Sequence, residues 1–161
     1  MFSIFYRSQR VGRGGKIFTM YKLRTLKEGA DKNTFAEQYT FLGRFLRKTK
    51  TDELPQLWNV IKRDINLVGP RAEEERSLSV IPKETRDILL SVRPGLTSLS
   101  SIHFFDEEAI LRDAKDKHKV YWTFIKPTKI LLDTFYIEHK CFALDLVIIW
   151  LTLKKVIKSF F

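Results

Sequence analysis

KTDELPQLW, residues 50–58, sets two adjacent carboxylates, Asp52 and Glu53, between a run of cations and a proline. Leu54, Leu57, Trp58 and Ile61 recur at i, i+3, i+4 and i+7, which predicts a helix with a buried apolar face. Asp52 fits the N-cap of that helix. Pro55 then falls in the first turn, where a missing N–H removes no intrahelical bond, so it marks a start and not a break. A carboxylate at such a helix mouth is held ionised by unpaired N–H groups, by the dipole and by the nearby Arg47, Lys48 and Lys50. An ionised, partly desolvated carboxylate is a competent nucleophile toward an activated phosphoryl group, which leaves Glu53 to serve a metal or move a proton. Hard oxygen ligands of this kind suit Mg²⁺, which leans on one or two carboxylates plus substrate phosphates. An Asp-Glu pair at a helix start is, by itself, most often only a cap.

Upstream, TFLGRFLRKTK carries Phe41, Leu42, Phe45 and Leu46 at helical spacing, with cations on its other faces, and reads as a short amphipathic helix. The first 27 residues contain no acid. Within them VGRGG offers a glycine turn between IFYRSQRV and KIFTMYKLRT, two β-prone segments that predict a hairpin. This is not a phosphate-binding P-loop, because Ile17 follows Lys16 where Ser or Thr is required. Residues 28–40 read as a polar loop or solvated helix.

Downstream, NLVGPR is a short apolar piece ending in a Gly-Pro turn with Arg71 at its exit. Helical segments follow through AEEERSLSV and KETRDILLSV, the latter ending before Arg93-Pro94-Gly95 because the residue preceding proline is pushed out of the α region. From about Asp106 the chain reads as helix, with Pro127 as a break and a closing apolar helix flanked by Lys154, Lys155 and Lys158. Arg24, Arg71 and Arg93 each sit beside a Gly, Pro or Thr, where a fixed backbone can aim a bidentate guanidinium at a phosphate.

A chain of 161 residues, 44% hydrophobic and 30% charged, has enough apolar material for one core and lies outside the range of disorder. Its formal charge of +10 implies an anionic partner: nucleic acid, an anionic membrane surface or a phosphorylated small molecule. Cys141 is the single cysteine, so no internal disulfide forms, and it reads as a packing residue facing a reducing compartment. The longest apolar run, Leu146 to Leu153, is well short of the ~20 residues of a spanning helix. His103, His118 and His139 share no metal-ligand spacing and read as structural or surface residues.

KIFTMYKLRT, TKTDELPQLWNVIKRDINLVGPR, RPGLT and LLDTFYIEHKCFALDL together resemble, in order and spacing, the bacterial sugar transferase family of monotopic phosphoglycosyl transferases. The likeness runs from about Phe5 to Thr152, and DELPQLWNV followed by LVGPR is its most specific part. The resemblance implies transfer of a sugar-1-phosphate from a nucleotide diphosphate sugar, commonly a UDP-sugar, to polyprenyl (undecaprenyl) phosphate at the cytoplasmic face of the cell membrane. It further implies that Asp52 is the nucleophile of a covalent phosphosugar intermediate, that Glu53 completes the dyad, and that the two hold Mg²⁺. Arg24 falls in the family's Arg-Thr motif, Arg71 in its Pro-Arg-Pro nucleotide-binding motif, and Asp133 with Tyr136 in its distal Asp-x-x-Tyr element. Arg93, in RPGLT, joins this substrate-binding set. Three departures stand out: Ala72 replaces the second proline, Thr51 replaces a usual leucine, and RPGLTSLS lacks a glycine and glutamine after Thr97. The likeness begins just downstream of the family's re-entrant membrane helix, so the expectation is a truncated chain or attachment through amphipathic segments.

The expected fold is α+β, a mostly helical single domain over residues 1–161 with a short β-hairpin and a monotopic association with the membrane surface. Aromatics beside lysines in WLTLKKVIKSFF suit an interfacial helix, although Ile148, Trp150 and Leu151 suit a core equally well. Two rivals remain open, a catalytically impaired scaffold at the membrane and a basic nucleic-acid-binding module. Carboxylates amid the basic region and the lack of any RNA-recognition or zinc motif argue against nucleic acid.

Overall fold

A computed structural model describes residues 4–27 and 39–161 of the chain. The basic N-terminal segment forms the expected hairpin, β1 (Phe5–Val11) against β2 (Ile17–Leu23), in antiparallel register from Phe5 opposite Leu23 to Val11 opposite Ile17. Gly14 and Gly15 take positive φ in the turn, a conformation open to glycine at little cost. Alternation along β2 buries Phe18 and Met20 against Ile65 and Ala72. Ala72, which departs from the family's proline, is therefore a core residue of the hairpin's inner face.

Thr40 caps α1 (Phe41–Lys48) by accepting the Gly43 N–H at 2.9 Å. A 3₁₀ turn over Thr51–Gln56 then leads into a short α2 (Leu57–Ile61). This corrects the expectation for the segment. Asp52 lies inside the 3₁₀ turn and caps no α-helix, and Leu54, Leu57, Trp58 and Ile61 are exposed, Ile61 at 70%. The face of α2 that is buried presents Asn59, which is fully enclosed and donates to the Thr19 carbonyl at 2.7 Å and to Asp64 at 3.1 Å while accepting from the Tyr21 N–H. A polar clamp to β2 thus orients the helix, and its apolar stripe faces outward. Of the stripe expected on α1, Phe41, Leu42 and Phe45 are likewise exposed.

NLVGPR and RPGLT form a two-stranded parallel pair, β3 (Asn66–Val68) with β4 (Gly95–Thr97), joined through α3 (Glu75–Leu78) and α4 (Lys83–Leu90). Neither strand could find its partner from local pattern alone, since parallel pairing needs a crossover. Gly69 and Gly95 make the approach possible. A Cβ on Gly95 would lie 2.1 Å from the Gly69 nitrogen, so any side chain there would drive the segments apart. That close pairing brings Arg71 to the end of the sheet, with the Gly95 N–H donating to the Pro70 carbonyl.

The C-terminal half is helical: α5 (Leu99–His103), α6 (Glu107–Asp113), α7 (Lys117–Val120), α8 (Lys126–His139) and α9 (Phe142–Ser159). Pro127 does not break the chain's helical course. A π-helical turn over Tyr121–Ile125 joins α7 to α8 and sets the proline in the first turn of α8. Ile148 of α9 is fully buried with Tyr136 and Val68, whereas Trp150 is exposed at 59%. Cys141 is exposed, contrary to its reading as a packing residue, because it precedes α9 at the surface. The fold is α+β and mostly helical, and among the described residues no helix is long and apolar enough to cross a membrane. The loop expected over residues 28–40 lies, up to residue 38, outside the described residues.

Candidate active site

The turn carrying the acidic pair, the exit of β3, and helices α5, α8 and α9 enclose a cavity of about 330 Å³. Lys50, Glu53, Arg71, Glu107 and Lys129 form its charged side. Leu54, Leu67, Ile149, Leu153 and Val156 form its apolar side.

Glu53 is pinned by Lys22 of β2, whose ammonium donates to Oε1 at 2.7 Å. Burial pushes the Glu53 carboxyl upward, but Lys22, Arg71 and Lys50 more than offset it and bring its pKa down to about 2. Asp52 goes the other way. It is only 5% exposed, and burial, reinforced by the Glu53 charge, raises its pKa above the ordinary value. The sequence had Asp52 held strongly ionised by a helix mouth. The packed 3₁₀ turn supplies desolvation in place of a free helix end. Asp52 does not itself line the cavity, although its neighbours Thr51 and Glu53 do.

Arg71 reaches the cavity with its side chain 3.3 Å from the Ser101 hydroxyl, while its backbone N–H donates to Asp133 Oδ2 at 3.0 Å. Burial would lower the Arg71 pKa, but Glu53, Glu107, Glu73 and Asp133 hold it above the usual value. Asp133 is buried in α8, and that burial raises its pKa to about 6. It acts on the site through the Arg71 backbone and does not line the cavity. Tyr136, about one turn further along the same face of α8, donates to Asp145 at 2.7 Å and borders a second, open cleft of about 670 Å³ together with Arg93. Arg24 is exposed at the end of β2, lines neither space, and gives its N–H to the Ile4 carbonyl. Of the residues singled out from sequence, the structure therefore brings Glu53 and Arg71 together at the first cavity, leaves the buried Asp52 next to Glu53 but outside the cavity's lining, ties Asp133 to the Arg71 backbone, and sets Arg93 and Tyr136 at the second.

Sequence reasoning missed the ionic support under the cavity. Lys126, 2% exposed, lies 2.6 Å from Glu73, and Lys129, 6% exposed, lies 2.5 Å from Glu107. Lys126, Lys129, Asp133 and Tyr136 follow one another by three or four residues on α8, so its buried face is polar. That stripe was a legible signal, overlooked because a buried helix face is ordinarily sought among apolar residues.

The profile of the family described as bacterial sugar transferase matches residues 1–159. The chain belongs to this family. It is 34% identical to the sugar transferase EpsL of Bacillus subtilis over 97% of its own length and 71% of that protein's. Against the undecaprenyl-phosphate galactose phosphotransferase of Salmonella typhimurium identity is 31%, over 95% of this chain and 33% of the relative. The UDP-N-acetylgalactosamine-undecaprenyl-phosphate N-acetylgalactosaminephosphotransferase of Aeromonas hydrophila is 28% identical, over 98% and 36% respectively. The chain thus spans about a third of these two longer relatives. The transferase class inferred from the sequence agrees with what the relatives are named for.

Proposed function

We propose that this transferase moves a sugar-1-phosphate from a nucleotide diphosphate sugar, a UDP-sugar, to polyprenyl phosphate, working from the cytoplasmic face of the membrane. The observation that carries the reading is a pair of adjacent carboxylates driven apart in basicity beside a cavity lined by Glu53 and Arg71. Environments that split two neighbouring acids in this way divide their roles. Glu53, anionic down to about pH 2, is the fixed charge. Asp52, desolvated and more basic, is the better nucleophile.

In the first half-reaction an Asp52 carboxylate oxygen attacks the sugar-bearing phosphorus of the donor. The bond from that phosphorus to the bridging oxygen breaks, and the nucleoside monophosphate leaves with both electrons. In the second, an oxygen of polyprenyl phosphate attacks the same phosphorus. The aspartyl O–P bond breaks, Asp52 is regenerated, and a polyprenyl diphosphate-sugar is released. Arg71 neutralises phosphate oxygens throughout. The dyad fits the protein's half of a Mg²⁺ site: Lys22 occupies Oε1 of Glu53, leaving its other oxygen and the neighbouring Asp52 carboxylate, with water and phosphate oxygens completing such sites. Bound there, Mg²⁺ would supply charge neutralisation at the reacting phosphate.

Exposed apolar side chains support a membrane-surface setting. Phe41 is 95% exposed on α1, Leu54 and Leu153 border the cavity while open to solvent, and the Phe45 and Phe160 rings meet at 5.8 Å, tying α1 to the end of α9. An apolar surface around a charged cavity suits a lipid carrying a phosphate.

Incubation with radiolabelled UDP-sugar, Mg²⁺ and polyprenyl phosphate should give lipid-soluble label. Asp52→Asn should abolish both turnover and the covalent phosphosugar adduct, and Asp64→Asn should retain both. Turnover by the Asp52→Asn protein would overturn the mechanism. Absence of label with the unaltered protein would favour a catalytically impaired scaffold.

A further inference from the structure

Two non-glycine residues among those described have positive φ, and both are cations: Lys50 at 57° and Arg63 at 61°. A lysine gains nothing from the left-handed region, which glycine enters without penalty, so the backbone at Lys50 is held there against local preference. Such outliers gather where a side chain's placement matters more than local stability. Lys50 lines the catalytic cavity two residues before Asp52.

Its side chain is also uncompensated. Around the cavity, Lys22 is matched with Glu53, Lys126 with Glu73 and Lys129 with Glu107. Lys50 makes no ion pair among the described residues. Its ammonium lies 5.3 Å from the centre of the Phe105 ring, half-buried, with Glu53 as its strongest attractive neighbour. Arg71 likewise forms no ion pair among the described residues and has the Ser101 hydroxyl as its side-chain partner, although the carboxylates around it favour its charge. Both acids that line the cavity, Glu53 and Glu107, already have a lysine. Two positive groups without an ion pair among the described residues therefore line one cavity, and the half-buried Lys50 carries a desolvation cost that an arriving anion offsets.

We propose that Lys50 and Arg71 form a two-cation clamp on the donor's diphosphate, and that Lys50 makes the site select a diphosphate over a monophosphate. The clamp rests on the nucleotide-sugar reading above and specifies how that substrate is told from the nucleoside monophosphate it yields. Arg71 holds one phosphate group with its planar fork. Lys50, at the start of the acidic turn, holds the second as a compact point charge. Once the diphosphate is cleaved, the departing monophosphate spans only one cation, and its release is correspondingly easier.

The test is calorimetric titration of the unaltered protein, Lys50→Met, Lys50→Gly and Lys50→Arg with UDP, UMP and inorganic pyrophosphate, without added divalent cation. The unaltered protein should bind UDP at least about tenfold more tightly than UMP, the scale of one charge-assisted contact. Lys50→Met and Lys50→Gly should lose about tenfold for UDP and pyrophosphate and little for UMP, and Lys50→Arg should keep most of the preference. Lys50→Gly should also melt at a higher temperature than the unaltered protein, which separates lost binding from lost folding. UDP affinity within twofold in Lys50→Met, or equal losses for UDP and UMP, would overturn the clamp. Lys50-dependent binding of pyrophosphate without binding of UDP would leave the clamp standing and sink the nucleotide reading instead. Failure of the unaltered protein to bind any of the three would overturn the clamp, whereas the nucleotide reading fails only if the labelled transfer with Mg²⁺ also fails.

Discussion

Replacing Lys22 with Met keeps the apolar stem of the side chain and removes the ammonium that donates to Glu53 at 2.7 Å. Both side chains are only about a fifth exposed, 18% and 21%, so water screens the pair weakly. A fall in the Glu53 pKa from 4.5 to about 2, at 1.36 kcal/mol per unit, corresponds to about 3 kcal/mol of stabilisation of its charged form. Lys22 is the largest favourable contributor and the only one that also hydrogen-bonds, so its loss should cost on the order of 2–3 kcal/mol at pH 7. The sign follows from the depressed value. Glu53's contribution is complete above pH 4.5 and is lost as pH falls through about 2, so the gap between the two proteins should narrow on acidification. Urea unfolding at pH 7 and at successively lower pH measures the gap, and carbon NMR of the Glu53 carboxyl follows its titration. Burial should then dominate, moving the variant's Glu53 well above 2. A loss under about 0.5 kcal/mol, or a Glu53 that still titrates near 2 in the variant, would refute the assignment of Lys22 as its principal partner.

Asn59→Ala strips three hydrogen bonds from a fully buried site and leaves the Thr19 carbonyl without its side-chain donor, so it should cost about 2–4 kcal/mol in urea unfolding with an unchanged m value. Asp133→Asn should show the opposite pH trend to Lys22→Met. Because folding raises the Asp133 pKa from 3.8 to about 6, the unaltered protein loses stability as pH rises across that interval, and the variant does not. Relative to the unaltered protein, Asp133→Asn should therefore be more stable at pH 8 than at pH 3.5 by on the order of 3 kcal/mol; a difference independent of pH would show that Asp133 is not desolvated in the folded state.

The local signals in the chain were enough for the hairpin, the helical C-terminal half, the family and the carboxylate pair, because each is encoded within a few neighbouring residues. VGRGG requires a turn, LLDTFYIEH turns as a helix, and Asp52-Glu53 are adjacent by covalent connection. What lay beyond them depends on which residues meet across the fold. The stripe Leu54, Leu57, Trp58 and Ile61 has the period of a buried face, yet Asn59 is the residue that finds partners on β2, and the stripe is left outside. Periodicity identifies a face; it does not say what covers it. The basicity of Asp52 likewise depends on desolvation and on the Glu53 charge, and a sequence specifies neither how deeply a turn packs nor that Lys22, thirty-one residues from Glu53, arrives to hold that partner. Arg71 becomes a cavity residue through Gly69 and Gly95, whose missing side chains let two distant segments touch. Chemistry carried by neighbours along the chain was readable from the residues themselves, whereas charge, burial and access at the site are sums over neighbours in space, and those the tertiary structure alone decides.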